Sequence, residues 1–138
     1  MQYLLDTDAC IDLLRGVGEV VRRASAVAPD DCAVSTVTAY ELMTGARKCR
    51  APDAECGKVD AFLRTVHELP FDRRAADRAA QIRADLEKRG AAIGPYDVML
   101  AGQALAAGLI LVTSNAGEFG RVHGLRTTDW RRASGVAS

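Results

Sequence analysis

Tyr3-Leu4-Leu5-Asp6-Thr7-Asp8 is a short apolar run that ends in an acid, just ahead of a stretch with helical spacing. The arrangement recurs. Glu41 comes soon after Cys32-Ala33-Val34, and Asp97 opens a helix-like run after Gly94-Pro95. Glu118, preceded by Asn115, follows Leu109-Ile110-Leu111-Val112. Short apolar runs alternating with longer helical patterns describe an α/β fold, a mainly parallel sheet flanked by helices. The carboxyl ends of parallel strands lie along one edge, where open α/β sheets form their ligand crevices. Several carboxylates gathered there repel one another unless a cation sits between them. A hard, oxygen-only donor set suits Mg²⁺, with Mn²⁺ as the alternative.

Working outward from the first strand, Thr7 or Asp8 is a cap for a helix whose stripe is Cys10, Leu13 and Leu14 and which ends near Gly16. A second helix covers about 18–27. A strand at Cys32–Ser35 leads into a helix over about 36–49. After Ala51-Pro52-Asp53 a third amphipathic stretch places Cys56, Val59, Phe62, Leu63 and Val66 at helical spacing. His67-Glu68-Leu69 reads as a short strand. The next helix, over about 72–89, carries Ala75, Ala79, Ile82 and Leu86 on one face and stops at Gly90. Residues 95–107 are apolar almost all round, which predicts a buried helix closed by Gly108. Leu109–Val112 is the clearest strand, Glu118-Phe119 fits one helical turn, and Leu125–Thr127 reads as an edge strand. One domain over 1–130 accounts for all of this, and 131–138 reads as a frayed tail.

With 138 residues, 49% of them hydrophobic, the chain is long enough to bury a core. Lys plus Arg equals Asp plus Glu, 18 each, so no global basic signature marks a nucleic-acid binder. Local basic stretches do occur, at Arg73, Arg74, Arg78, Arg83, Lys88 and Arg89, and at Arg121, Arg126, Arg131 and Arg132. Such runs ordinarily solvate a helix face. Cys10, Cys32, Cys49 and Cys56 form no Cys-x-x-Cys pair and sit among apolar or helical neighbours, which predicts buried reduced thiols and a reducing compartment. The amino terminus has no signal-peptide character and no run reaches membrane-spanning length, so the expected location is the cytoplasm.

Each acid also has a local explanation. Asp6 can cap a helix. Thr38-Ala39-Tyr40-Glu41 fits a capping box. Asp97 falls in a first helical turn, where the helix dipole favours negative charge, and Asn115-Ala116-Gly117-Glu118 is cap-like. Asp8 lies close enough to Asp6 to act as an outer ligand, whereas Asp12, further along the helix, is expected to face solvent. Thr7 and Ser114 can hydrogen-bond ligands or phosphate, or equally satisfy their own turns. His67 and His123 stand apart from any serine or cysteine motif. Neither Gly-x-x-x-x-Gly-Lys nor Gly-x-Gly-x-x-Gly occurs, so nucleotide cofactors are not indicated.

Leu4-Leu5-Asp6-Thr7-Asp8 and Ser35-Thr36-Val37-Thr38-Ala39-Tyr40-Glu41-Leu42 resemble the first two motifs of PIN-domain ribonucleases. Gly94-Pro95-Tyr96-Asp97-Val98-Met99-Leu100-Ala101 resembles the third, and Val112-Thr113-Ser114-Asn115-Ala116-Gly117-Glu118-Phe119 the fourth. Gly124-Leu125-Arg126-Thr127-Thr128-Asp129-Trp130 looks like the usual ending. The similarity spans nearly the whole chain and is strongest to the VapC-type toxins of bacterial toxin–antitoxin pairs. It implies a PIN-like three-layer domain and a Mg²⁺-dependent endoribonuclease that cuts structured RNA, often transfer RNA. It also implies a homodimer held inactive by a cognate antitoxin. Carried onto this chain, it makes Asp6 and Asp97 metal ligands and Glu41 the third acid. The chain departs from the family in two places: Asp8 stands where Asn is common, and Asn115 where many members have Asp, so either Glu118 or Asn115 completes the site.

Two other readings remain open on sequence. Asp6-Thr7-Asp8 resembles the start of aspartyl-nucleophile phosphatases of the haloacid-dehalogenase kind, and a catalytically inactive PIN-like binding protein would keep the fold without the chemistry. The apolar faces at Cys10, Leu13 and Leu14 and at Val59, Phe62 and Leu63 are either core or an antitoxin groove; helical spacing favours core.

Overall fold

A computed structural model describes residues 1–132; of the tail expected to fray, 133–138 lie outside the described residues. Five strands, β1 (Tyr3–Leu5), β2 (Cys32–Ser35), β3 (His67–Leu69), β4 (Ile110–Val112) and β5 (Thr127–Thr128), form one sheet in the order β3-β2-β1-β4-β5. All four pairings are parallel. Strand β1 is central. The chain builds outward from it on one side through β2 and β3, then crosses to the other side for β4 and β5. The topological switch point therefore falls between β1 and β4.

The helices are α1 (Thr7–Arg15), α2 (Gly18–Ser25), α3 (Thr36–Lys48), α4 (Pro52–Leu63), α5 (Arg73–Lys88), α6 (Pro95–Ala107) and the single turn α7 (Ala116–Phe119). Alternation along each strand sends neighbouring side chains to opposite faces. Leu4, Ala33 and Leu111 join a core with Ala79, Ile82 and Leu86 of α5 and Leu100, Ala101 and Ala104 of α6. Leu5, Val34 and Val112 join a second core with Cys10, Val20, Leu42 and Val59 from α1 to α4. Three layers result. The stripes expected on α4 and α5 are the faces those helices bury. Gly16 and Gly108 close α1 and α6 with φ of 72° and 68°, a region open chiefly to glycine.

Several local expectations are corrected. The cap of α1 is Asp6, not Thr7 or Asp8: its carboxylate accepts from the Ala9 N–H at 2.8 Å. The Thr38–Glu41 capping box does not form, because α3 starts earlier. Its cap is Ser35, whose Oγ accepts from the Val37 N–H at 3.0 Å, and Thr38 is buried inside the helix. Asp12 does not face solvent. It is 4% exposed, and Arg131 donates to it through Nε at 2.7 Å and a terminal guanidinium nitrogen at 2.6 Å, fastening the end of the described chain to α1. All four cysteines are unbridged, but Cys49 is exposed at the end of α3 rather than buried. Burial raises the thiol pKa of Cys10 and Cys32, which keeps both neutral. In the first basic stretch, Arg83 pairs with Glu87 within α5, and Arg89, just past the helix, pairs with Asp85. Among the described residues no helix is long and apolar enough to cross a membrane.

Helices α5 and α6 touch most closely at Gly102. A Cβ added there would lie 2.5 Å from the Ala79 backbone nitrogen and 2.6 Å from its Cα. These are backbone atoms that cannot rotate away, so Gly102→Ala should cost at least about 1–3 kcal/mol of overpacking. The check is a lower urea midpoint with an unchanged slope. Arg131→Ala should also lower the melting temperature, because it leaves the buried Asp12 carboxylate without its donors; thermal unfolding at low salt reads this.

Candidate functional site: an acidic crevice at the sheet switch point

The register places Asp6 with Ser35 on one side and Thr113 on the other, since Leu5 pairs with both Val34 and Val112. Asp6 is thus the first residue beyond the central strand, at the switch point. Its own N–H donates to Val112 O at 3.0 Å, and its carbonyl accepts from Cys10 N at 3.1 Å, so the backbone cannot drift. The side chain is 3% exposed. Burial is the main influence on its pKa and raises it to about 7. The Thr113 hydroxyl and the Ala9 N–H pull the other way, while Asp8 and Asp97 add repulsion.

Asp97 sits in the first turn of α6, behind the helix start at Gly94-Pro95. A Cβ on Gly94 would come within 3.3 Å of Asp97 Oδ2, so a glycine there keeps the carboxylate's surroundings open. Its pKa is raised to about 6, chiefly by burial, then by the adjoining carboxyl of Glu118, and by the charges of Glu41 and Asp8. The sheet and helices therefore bring five carboxyls, Asp6, Asp8, Glu41, Asp97 and Glu118, into one electrostatic field. None of the five forms a salt bridge among the described residues. They do not already form a tight ligand cage: among the described residues no three metal-binding side chains converge on one point.

Glu41 and Glu118 are held by neighbours. Thr7 Oγ1 donates to Glu41 Oε1 at 2.6 Å and lies 3.1 Å from Thr38 Oγ1, linking α1 to α3 across the site. Asn115 does not cap α7; its Nδ2 donates to Glu118 Oε2 at 2.7 Å. An amide at this position therefore orients the acid three residues on. Thr7 supports an acid rather than its own turn. Asp8 is solvent-exposed at the rim and contributes charge. Ser114 is exposed, and no hydrogen bond of its hydroxyl is seen.

Sequence reasoning missed Thr113 and Thr38. Thr113 is buried at the end of β4, lies against Asp6, and its Oγ1 accepts from Asn115 N at 3.0 Å. The signal was available: Thr113 follows the strongest strand of the chain, the place on β4 that Asp6 occupies on β1. Thr38 was hidden by the capping-box pattern it happens to fit.

The donor set is all oxygen, carries up to five negative charges and, among the described residues, has no salt-bridge partner. This is the environment a hard divalent cation requires. Asp6 and Asp97, raised first by burial and then by neighbouring carboxyls, have the perturbed acidity that marks a candidate functional position.

A family model described as "PIN domain" matches residues 3–125. The chain is 38% identical to the tRNA(fMet)-specific endonuclease VapC of Shigella flexneri over 130 residues, 94% of this chain and 98% of the relative. It is 36% identical to Ribonuclease VapC2 of Haemophilus influenzae over 131 residues, 94% and 98% of the two chains. Among solved structures, DNA-bound VapBC from Salmonella typhimurium superposes with a TM-score of 0.90 at 37% identity, covering 94% of this chain and 98% of the other.

The buried acids predict an unusual pH profile for the protein stripped of divalent ions. Asp6 takes up its proton at about pH 7 in the native state, against an ordinary value of 3.8. Between those values the native state holds more protons than the unfolded chain, so stability falls as pH rises. In EDTA the melting temperature should drop from pH 5 to pH 8. Asp6→Asn should flatten that drop and melt higher than wild type at pH 8, since the amide oxygen can still cap α1. A wild-type melting temperature that climbs over this range would contradict the buried-charge account.

Proposed function

The chain belongs to the PIN-domain family, and on that premise we propose that it is a Mg²⁺-dependent endoribonuclease toxin of the VapC type, cutting structured RNA and inhibited by a cognate antitoxin. The observation that carries this reading is the uncompensated cluster of Asp6, Asp97, Glu41 and Glu118 at the switch point. The relatives' names support the substrate class: one is a transfer-RNA endonuclease, another a ribonuclease. Transfer RNA is accordingly the substrate we assign.

Asp6 and Asp97 are the residues that would hold Mg²⁺, or Mn²⁺ in its place. Held there, such an ion would lower the pKa of a bound water and offset phosphate charge. The remaining work falls to the protein. Asp6 contributes from a fixed backbone. Glu41 spends Oε1 on the Thr7 hydroxyl, which leaves Oε2 to orient the attacking water and accept its proton. Glu118, steadied by Asn115, sets the charge beside Asp97. Water oxygen bonds to phosphorus, the bridging ester oxygen leaves, and that oxygen takes up a proton.

The antitoxin has a suitable seat. Leu13 on α1, Val21 and Ala24 on α2, and Phe62 with nearby Val66 line an apolar hollow of about 390 Å³. Cys10 and Val59 of the same helices are core. A helix presenting apolar side chains at i, i+3 and i+4 fits such a groove. The solved relatives are VapBC complexes, which supports a partner of this kind. The family resemblance makes a homodimer the expected form, checked by light scattering on the purified chain.

The deciding experiment is cleavage of total transfer RNA by the partner-free chain. Discrete fragments should appear with Mg²⁺, vanish in EDTA, and be lost in Asp6→Asn and Asp97→Asn, which should also weaken Mg²⁺ binding by calorimetry. Cleavage at the wild-type rate by either variant would overturn the ligand assignment. Turnover of a generic phosphomonoester without RNA cleavage would point to the phosphatase reading, and absence of both cleavage and metal binding to an inactive binding protein.

A further inference from the structure

Two of the three tyrosines, Tyr40 and Tyr96, stand next in sequence to acids of the crevice, Glu41 and Asp97. They come from different helices, α3 and α6, and meet near enough to the crevice for the Glu41 charge to act on the Tyr96 hydroxyl. The rings pack edge-to-face, 5.7 Å apart with 62° between their planes, and the Tyr96 hydroxyl donates to that of Tyr40 at 3.4 Å. Yet they remain 54% and 40% exposed, among the most exposed large apolar side chains in the protein. A tyrosine pair that merely stabilised the fold would be expected to bury its faces in a core, as Tyr3 does in part against Trp130. The third tyrosine thus has a packing role that these two lack.

We propose that Tyr40 and Tyr96 form an aromatic corner that stacks one unpaired base of the RNA next to the scissile phosphate. The proposal rests on the endoribonuclease reading and adds to it a requirement for single-stranded substrate at the cut. Two rings set at 62° present a face and an edge. A planar base laid on one ring meets the other edge-on, which is how aromatic groups prefer to pack. Every base has a π-face, so the contact selects an unpaired nucleotide without selecting its identity. It also answers an electrostatic difficulty. Five carboxyls repel the RNA backbone, and no basic side chain is paired with them, so an uncharged contact beside the acids holds the strand without adding to that repulsion. A duplex keeps its bases stacked on one another and cannot offer one to the corner.

The test compares wild type with Tyr40→Ala, Tyr96→Ala and the corresponding Phe variants. Binding of an oligoadenylate decamer and of an abasic ribose-phosphate decamer of equal charge is measured with Ca²⁺ in place of Mg²⁺. Steady-state cleavage of total transfer RNA is measured with Mg²⁺. Wild type should bind the adenylate decamer roughly tenfold or more tighter than the abasic one. The Ala variants should lose that preference and raise KM by a similar factor with little change in kcat, while the Phe variants keep both. A wild-type chain that cuts transfer RNA but binds the two decamers equally would overturn the aromatic corner alone, as would Ala variants that retain the preference. A wild-type chain that cuts no RNA would overturn the nuclease reading beneath it.

Discussion

One buried carboxyl organises this protein. Asp6 follows the central strand, caps the first helix and stands where the strand order reverses, and it is almost wholly removed from water. A carboxyl in that position must be protonated, paired or bound to a cation. The Ala9 N–H donates to it and the Thr113 hydroxyl favours its charged form, but among the described residues no cationic side chain pairs with it. The neighbouring acids make its charged form less favourable still. The site is in this sense built against its own stability, which the divalent cation we propose would relieve.

The other acids are arranged around that constraint at graded depth. Asp97 is partly buried at a helix start, where the dipole offsets some of its cost. Glu41 and Glu118 are half-buried and each is held by a polar neighbour. Asp8 lies at the rim. Rigid backbone anchors the deepest acid, and side-chain hydrogen bonds steer the two glutamates. Capping the helix engages only Oδ1 of Asp6, so that duty does not by itself use up the carboxylate.

Much of this was legible in the residues alone. The apolar runs at Tyr3–Leu5, Cys32–Ser35 and Ile110–Val112, and the stripe Ala75, Ala79, Ile82 and Leu86, report strand and helix directly, because burial on one or both faces imposes the period. What failed was partner choice. Thr38 and Glu41 have capping-box spacing, but Ser35 starts the helix sooner and frees Glu41 for Thr7, thirty-four residues away. Asp12 has the position of a solvent-facing helix residue, but Arg131 reaches it from 119 residues downstream. Asn115, read as the site of a lost acid, orients the acid beside it.

The sequence by itself determined the alternation of strands and helices, the acids that follow the strands, and the family to which the chain belongs. These are properties of short segments, written in spacing and residue type. Only the tertiary structure decided which acid is deepest, which hydroxyl or amide holds each of the others, and that two tyrosines from separate helices meet near the crevice. Those outcomes depend on strand order and on how far each helix start sits above the sheet. Burial and electrostatic coupling are set by distances through space, and no local pattern records them.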